Sequence, residues 1–307
     1  MNIGLIDVDG HHFPNLALMR ISAYHKAQGD TVEWWWTDFF HYDIVYKSKV
    51  FSDAYSPDVP DPLNADKVIK GGTGYCISLG PDGREHFDES KNTALPPEME
   101  KMFPDYSIYP QFKFAVSMTS RGCPRGCAFC HVAAKEGHCA VKVADVSDFW
   151  SGQKEIKVLD PNITACREKR DLLRQYRETG AWIDFTQGID IRLVNDADVD
   201  DFNNMKIKRL HFAWDNPKDD LRDAFAAFSE RWRIKDYRRK LVYVLTNFDS
   251  TMEENLYRIY TLRDLEYDPY VMIYDKPHAP KDVKRLQRWC NNKRIFKSTR
   301  RFEEYSR

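Results

Sequence analysis

The chain lacks a long apolar run, an excess of either charge, and a dispersed cysteine framework. Its 307 residues carry 46 Lys and Arg against 47 Asp and Glu. That balance selects neither nucleic acid nor a membrane surface as a partner. No apolar stretch approaches the ~20 residues needed to span a bilayer. The chain opens on Asn2-Ile3-Gly4-Leu5-Ile6, which reads as a strand rather than a cationic-apolar leader. Seven cysteines, three of them clustered, do not make a secreted disulfide scaffold. Cys76, Cys139, Cys166 and Cys290 lack metal-site spacing and are expected as small buried hydrophobes. With no second tight cysteine set, an auxiliary cluster is not expected.

What the chain does have is Ser120-Arg121-Gly122-Cys123-Pro124-Arg125-Gly126-Cys127-Ala128-Phe129-Cys130, with the cysteines spaced C-x3-C-x2-C. Three thiolates can hold three irons of a cubane [4Fe–4S] cluster and leave the fourth iron open to a ligand. A zinc site is the alternative, but zinc takes four closed ligands or three plus water. His131 adjoins Cys130 and is badly placed to join a tetrahedron with it. Glycine and proline around the cysteines suit a loop that turns sharply.

This spacing, with an aromatic before the last cysteine, resembles the signature of the radical S-adenosylmethionine (SAM) enzymes, over roughly residues 112–275. The resemblance implies that Cys123, Cys127 and Cys130 ligate the cluster, that SAM chelates the open iron, and that Phe129 lies against the adenine. It also implies reductive cleavage of SAM and hydrogen abstraction by a 5′-deoxyadenosyl radical. An oxygen-labile cluster implies a reducing interior, so a cytoplasmic location is expected, with an electron donor of flavodoxin or ferredoxin type.

The front of the chain alternates strand and helix. Residues 3–8, 31–34, 42–46 and 66–69 read as strands, and Asn15 to Gln28 carries helical apolar spacing up to Gly29. A small doubly wound, Rossmann-like α/β domain over residues 1–94 follows. In such a sheet Asp7, Asp9, His11 and the Gly71–Gly74 loop gather beyond the strand ends. The unit resembles the cobalamin-binding domain that precedes the radical barrel in one branch of the family. Asp9 and His11 match the first positions of the family's D-x-H-x-x-G motif, Ser48-Lys49-Val50 stands for its S-x-L element, and Gly71-Gly72 matches its glycine pair. Pro14 replaces the motif glycine beside the corrin tail, so the resemblance implies a degenerate site and cobalamin held through His11 is not expected. A linker is expected over 95–110. The Trp34-Trp35-Trp36 run with Phe39 and Phe40 is expected as core strand and packing surface, with an exposed recognition surface as the alternative.

From Phe112 onward six strands alternate with helical segments: 112–119, 155–159, 182–185, 209–214, 240–245 and 270–274. Each ends in polar residues, as loops converging on a barrel cavity would. The expected architecture is therefore α/β, a doubly wound domain followed by a partial (β/α)6 barrel over 111–280, with a basic helix or tail over 281–307. The six-unit partial barrel is also what the family resemblance implies.

Asp160 and Asn162 follow the second strand, where the family places groups for the SAM ammonium. Gln187 and Arg192 follow the third, and an arginine fork could clamp the SAM carboxylate. Asp190 is expected to pair with Arg192 or face substrate, and Asn247 and Asp275 to face substrate, with Trp214 and Asp215 as further candidates. The substrate, small or macromolecular, is not identified. Basic stretches at 231–240 and from Lys281 offer a phosphate-contacting stripe for RNA, with a solvated cationic surface as the competing reading. Two other functions stay open: a cobalamin-dependent radical SAM methyltransferase, and a noncatalytic iron–sulfur protein.

Overall fold

The structure, a computed structural model, describes residues 1–81 and 83–306. The chain divides into two compact units, Met1–Ser117 with Ser147–Ser151, and Met118–Val146 with Gly152–Arg307. Residues 95–110 thus fall inside the first unit, and the basic segment from Lys281 falls inside the second.

In the first unit, β1 (Asn2–Asp7), β2 (Thr31–Trp34), β3 (Tyr42–Ser48) and β4 (Ala65–Gly71) form a parallel sheet in the order β2-β1-β3-β4. The order reverses beside β1, as in a doubly wound sheet. Between β1 and β2 runs α1 (Leu16–Ala27), started by Asn15, whose side chain accepts from the Leu18 amide at 3.2 Å. The other crossovers carry no α-helix. Pro57, Pro60 and Pro62 stand in the β3–β4 connection and forbid one. That connection is pinned by the buried Lys47 ammonium, which meets Asp61 at 2.7 Å and Asp58 at 3.1 Å.

Ile3, Leu5, Leu18, Ile21, Tyr46 and Met99 make one core cluster, and Leu95 and Ile108 pack on it. The proline-rich stretch expected as a linker is therefore a strap on this unit's core. It includes α2 (Pro97–Glu100), and an antiparallel pair, β5 (Ile77–Leu79) and β6 (Glu85–Phe87), precedes it. The short strand β7 (Ala115–Ser117) follows. Trp36, Phe39 and Phe40 are exposed, which corrects the expectation of a packed run. β2 ends at Trp34, and the aromatics beyond it lie in a loop.

The second unit begins with a small antiparallel pair, β8 (Ser120–Arg121) and β9 (Val141–Lys142), enclosing the cysteine loop and α3 (Val132–Glu136). Then come β10 (Glu155–Val158), α4 (Lys169–Thr179), β11 (Trp182–Ile189), α5 (Asp196–Asn203), β12 (Lys206–Ala213) and α6 (Arg222–Arg231). β13 (Lys240–Thr246), α7 (Met252–Asp264), β14 (Asp268–Ile273), α8 (Lys281–Asn291) and α9 (Lys293–Ser298) complete it. The strands β10 to β14 are parallel and each lies beside its predecessor. Tyr176 of α4 meets Phe185 of β11 edge-on at 5.6 Å, and Phe185 meets Phe202 of α5 at 5.6 Å. Phe212 of β12 packs likewise on Phe225 and Phe228 of α6. Amphipathic helices thereby bury one sheet face and fix where the strand ends lie.

Candidate functional site at the cysteine loop

The cysteine loop is held from both sides. The Cys123 amide donates to Gly137 O at 3.1 Å and the Cys130 amide to Cys127 O at 2.9 Å. Gly122 has φ +87°, and a Cβ there would lie 2.1 Å from Cys139 O, so the close backbone approach needs glycine. All three cysteines are free thiols, Cys130 exposed and the other two half-buried.

Three strand ends, those of β10, β11 and β13, meet the loop through direct contacts. After β10, Asn162 donates from Nδ2 to Cys123 Sγ at 3.5 Å, while its Oδ1 accepts from Thr164 and Ala165. After β11, Asp190 accepts from Arg125 Nε, inside the loop, at 2.6 Å and from Arg192 Nε at 2.7 Å. After β13, Phe248 packs edge-on against Phe129 at 5.5 Å and against Tyr274 at 4.9 Å. After β12, the half-buried Asp215 lies close enough that its carboxylate adds to burial in pushing the Cys127 thiol up.

Two acids near the loop have carboxyls raised to about 6 by burial, and their surroundings differ. Asp160 is fully buried and accepts from the Thr119 amide (2.8 Å) and hydroxyl (2.9 Å) and from the Ser120 amide and hydroxyl (2.6 Å each). It is therefore not free to accept from a ligand ammonium, and instead anchors the strand leading into the loop. Asp215 accepts from the Leu245 amide at 3.1 Å and keeps part of its surface open. Behind it the buried Arg258 binds Trp214 O at 2.6 Å and Asp215 O at 2.9 Å after β12 and Leu245 O at 3.0 Å on β13, cross-bracing two strand ends.

The other expected residues are placed as follows. Burial alone would raise the Asp190 carboxyl, but Arg125 and Arg192 hold it below the usual range. Arg192 also reaches Asp219 through Nη1 at 2.9 Å, and among the described residues its Nη2 has no protein partner. Gln187 is exposed and donates to Leu159 O at 2.8 Å. Asn247 and Asp275 both have left-handed backbone, φ 64° and 46°. Asn247 Nδ2 is spent on Tyr274 O at 2.8 Å, and Asp275 pairs with His278 at 2.9 Å. Trp214 is buried, its indole donating to Asp219 O. Of the four scattered cysteines Cys76, Cys166 and Cys290 are buried, but Cys139 is exposed. There the backbone, not the thiol, does the packing. Arg125, the Asn162–sulfur contact and Phe248 were not picked out in the sequence, and a loop arginine facing an acid-rich strand end was the available signal.

The donor set fits a cluster better than a single ion. On one zinc the sulfurs would stand roughly 3.8 Å apart. Among the described residues the group whose ligand atoms all fall within 4.8 Å is exposed His41 with Asp43 and Asp66, not the cysteines.

Cobalamin does not fit the first unit in this way. Asp9 accepts from the Val50 and Phe51 amides at 2.6 and 3.2 Å. The turn so held is bonded directly to the glycine loop, Lys49 N to Gly71 O at 3.0 Å and Gly74 N to Lys49 O at 2.9 Å. A Cβ at Gly72 would lie 2.3 Å from Lys49 O, so no gap for a cofactor tail separates the two segments. The His11 ring lies tilted against Trp34, with ring centres 4.2 Å apart.

No protein-family model matches the chain, and no curated protein matches it. Among solved structures it is similar to the cobalamin-dependent S-adenosylmethionine radical enzyme OxsB, solved with aqua-cobalamin and S-adenosylmethionine bound. The TM-score is 0.43 at 12% identity, covering 89% of this chain and 49% of that one. The chain thus spans about half of that enzyme's length. No helix of the described residues is long and apolar enough to cross a membrane.

Proposed function

We propose that the second unit is a radical SAM enzyme of the partial-barrel type, in which Cys123, Cys127 and Cys130 would hold a [4Fe–4S] cluster with one iron left for SAM. The observation that carries this reading is the C-x3-C-x2-C loop of free thiols, seated over the carboxyl ends of consecutively ordered parallel strands. When bound, the cluster and SAM supply the electron and the carbon radical that break a substrate C–H bond.

The chain's own residues then bind and orient. Asn162 donates toward the Cys123 sulfur, a contact that orients the ligand. Phe129, braced by Phe248, offers an aromatic wall for the adenine. Arg192, fixed by Asp190 and Asp219, offers Nη2 to the SAM carboxylate. Asp215 takes the role of ammonium acceptor for which Asp160 has no oxygen free. Gln187, Asn247 and Asp275 shape the rim, the last two through their bonds to Tyr274 O and His278. An external flavodoxin- or ferredoxin-type electron donor completes the reading, in a reducing cytoplasm.

The test is anaerobic reconstitution followed by reduction with SAM and measurement of 5′-deoxyadenosine. Product that disappears in each of Cys123→Ala, Cys127→Ala and Cys130→Ala, but not in Cys290→Ala, supports the enzyme. A fully loaded cluster with no product contradicts it and leaves a noncatalytic iron–sulfur protein.

A further inference from the structure

At the opposite ends of the same strands, away from the cysteine loop, lies a cavity of about 410 Å³. Glu155 and Trp182 open β10 and β11, Arg209 lies on β12, and Asp236 to Arg239 precede β13. The lining holds four cations, Lys208, Arg209, Arg238 and Arg239, against two carboxylates. Both carboxylates are already paired, Glu155 with Lys208 at 2.5 Å and Asp236 with Arg238 at 2.8 Å. Two half-buried guanidiniums remain without a carboxylate among the described residues. Arg209 Nε donates to Arg238 O at 3.0 Å, and Arg239 to Ile207 O. In the same lining stands the exposed indole of Trp182, with the Arg239 guanidinium 5.0 Å from its ring centre.

Half-buried guanidiniums that donate to carbonyl oxygens and form no ion pair are open to an entering anion, although Asp236 offsets part of the Arg239 charge. An exposed indole beside them adds a flat apolar surface, which an inorganic anion does not use and an aromatic base does. We propose that this cavity binds a nucleotide, its phosphate between Arg209 and Arg239 and its base stacked on Trp182. The basic stretch from Arg231 to Lys240 thereby acquires a function separate from the cysteine loop. Free nucleotide and single-stranded RNA present the same phosphate-and-base chemistry.

Titration calorimetry of the full chain at low salt with AMP, adenosine, inorganic phosphate and a single-stranded decauridylate tests this. One AMP site per chain is expected. Arg239→Gln and Arg209→Gln should each weaken AMP at least about tenfold, the loss of one charged hydrogen bond. Trp182→Ala should weaken AMP and adenosine while leaving inorganic phosphate unchanged. A decauridylate tighter than AMP by about tenfold or more assigns the site to RNA through counterion release, and otherwise to free nucleotide. Arg209→Gln guards against a fold defect in Arg239→Gln, because both must lose AMP while keeping the wild-type melting temperature. No AMP binding below about 1 mM, AMP affinity indifferent to both arginine variants, or AMP displaced by S-adenosylhomocysteine would each overturn the proposal.

Discussion

Asp160 and Asn162 follow the same strand two positions apart, and their partners give them different work. Asp160 takes four donors from Thr119 and Ser120, yet burial still raises its carboxyl to about 6. A carboxyl raised on folding contributes stability that is full below the unfolded value near pH 4 and is lost as pH rises through about 6. The loss is about 3 kcal/mol between those limits. Thermal unfolding should therefore occur at lower temperature at pH 7.5 than at pH 5, and Asp160→Asn should flatten that slope. The variant should also be about 1–3 kcal/mol less stable at pH 5, because its Nδ2 would face an N–H donor. An unchanged slope in the variant would contradict this role for Asp160.

Arg192 carries the second prediction at this scale. Its Nε and Nη1 are spent on Asp190 and Asp219, which leaves Nη2 to meet a carboxylate. Arg192→Ala should weaken SAM binding by about 1.5–3 kcal/mol, roughly 10- to 100-fold, with the cluster retained. Equilibrium dialysis of the loaded protein measures it. Equal affinity in the two proteins would reduce Arg192 to a brace for Asp190. The spacing of the cysteines was legible in the sequence because a ligand set must be local there. The commitments of Asp160 and Asn247 were not, because their partners come from distant parts of the chain.

Elements were easiest to read where an apolar run ends in polar residues, as at β10, β12 and β13. β11 runs on to Ile189, although its apolar run stops at Phe185. Thr186, Gln187 and Gly188 are polar or small, and the pairing with β12 shifts register between Phe185 and Ile189. That irregularity is what delivers Asp190 to the loop arginine. The segment from Lys281 read as a basic helix or tail, and its helices dock through Val283, Leu286, Trp289 and Phe296. α8 also satisfies the sheet edge: Asn291 accepts from the Val271 amide at 2.8 Å and donates to its carbonyl at 3.0 Å. Asn291→Ala removes both bonds from a buried edge and should cost about 1–3 kcal/mol in urea unfolding. A loss below about 0.5 kcal/mol would mean that water replaces the side chain there.

For the whole molecule, two parallel sheets of different winding share one chain. The order β2-β1-β3-β4 reverses, whereas β10 to β14 proceed in one direction. Alternation of strand and helix predicts parallel sheets, but the helix-free crossovers of the first unit follow from prolines and a short connection rather than from any periodicity. The direct bonding of the Lys49 turn to the Gly71–Gly74 loop predicts that the protein retains no corrin after equilibration with hydroxocobalamin and gel filtration. A stoichiometric visible spectrum abolished by His11→Ala would contradict that prediction and turn the reading toward a cobalamin-dependent methyltransferase.

The central claim is that three cysteines hold a cluster with one iron open to SAM. Electron paramagnetic resonance of the anaerobically reconstituted, reduced protein, recorded before and after SAM, tests it most directly. The account predicts one [4Fe–4S] signal per chain whose g-values shift on adding SAM, and which is lost in Cys127→Ala. A full-occupancy signal that SAM leaves unchanged would contradict it.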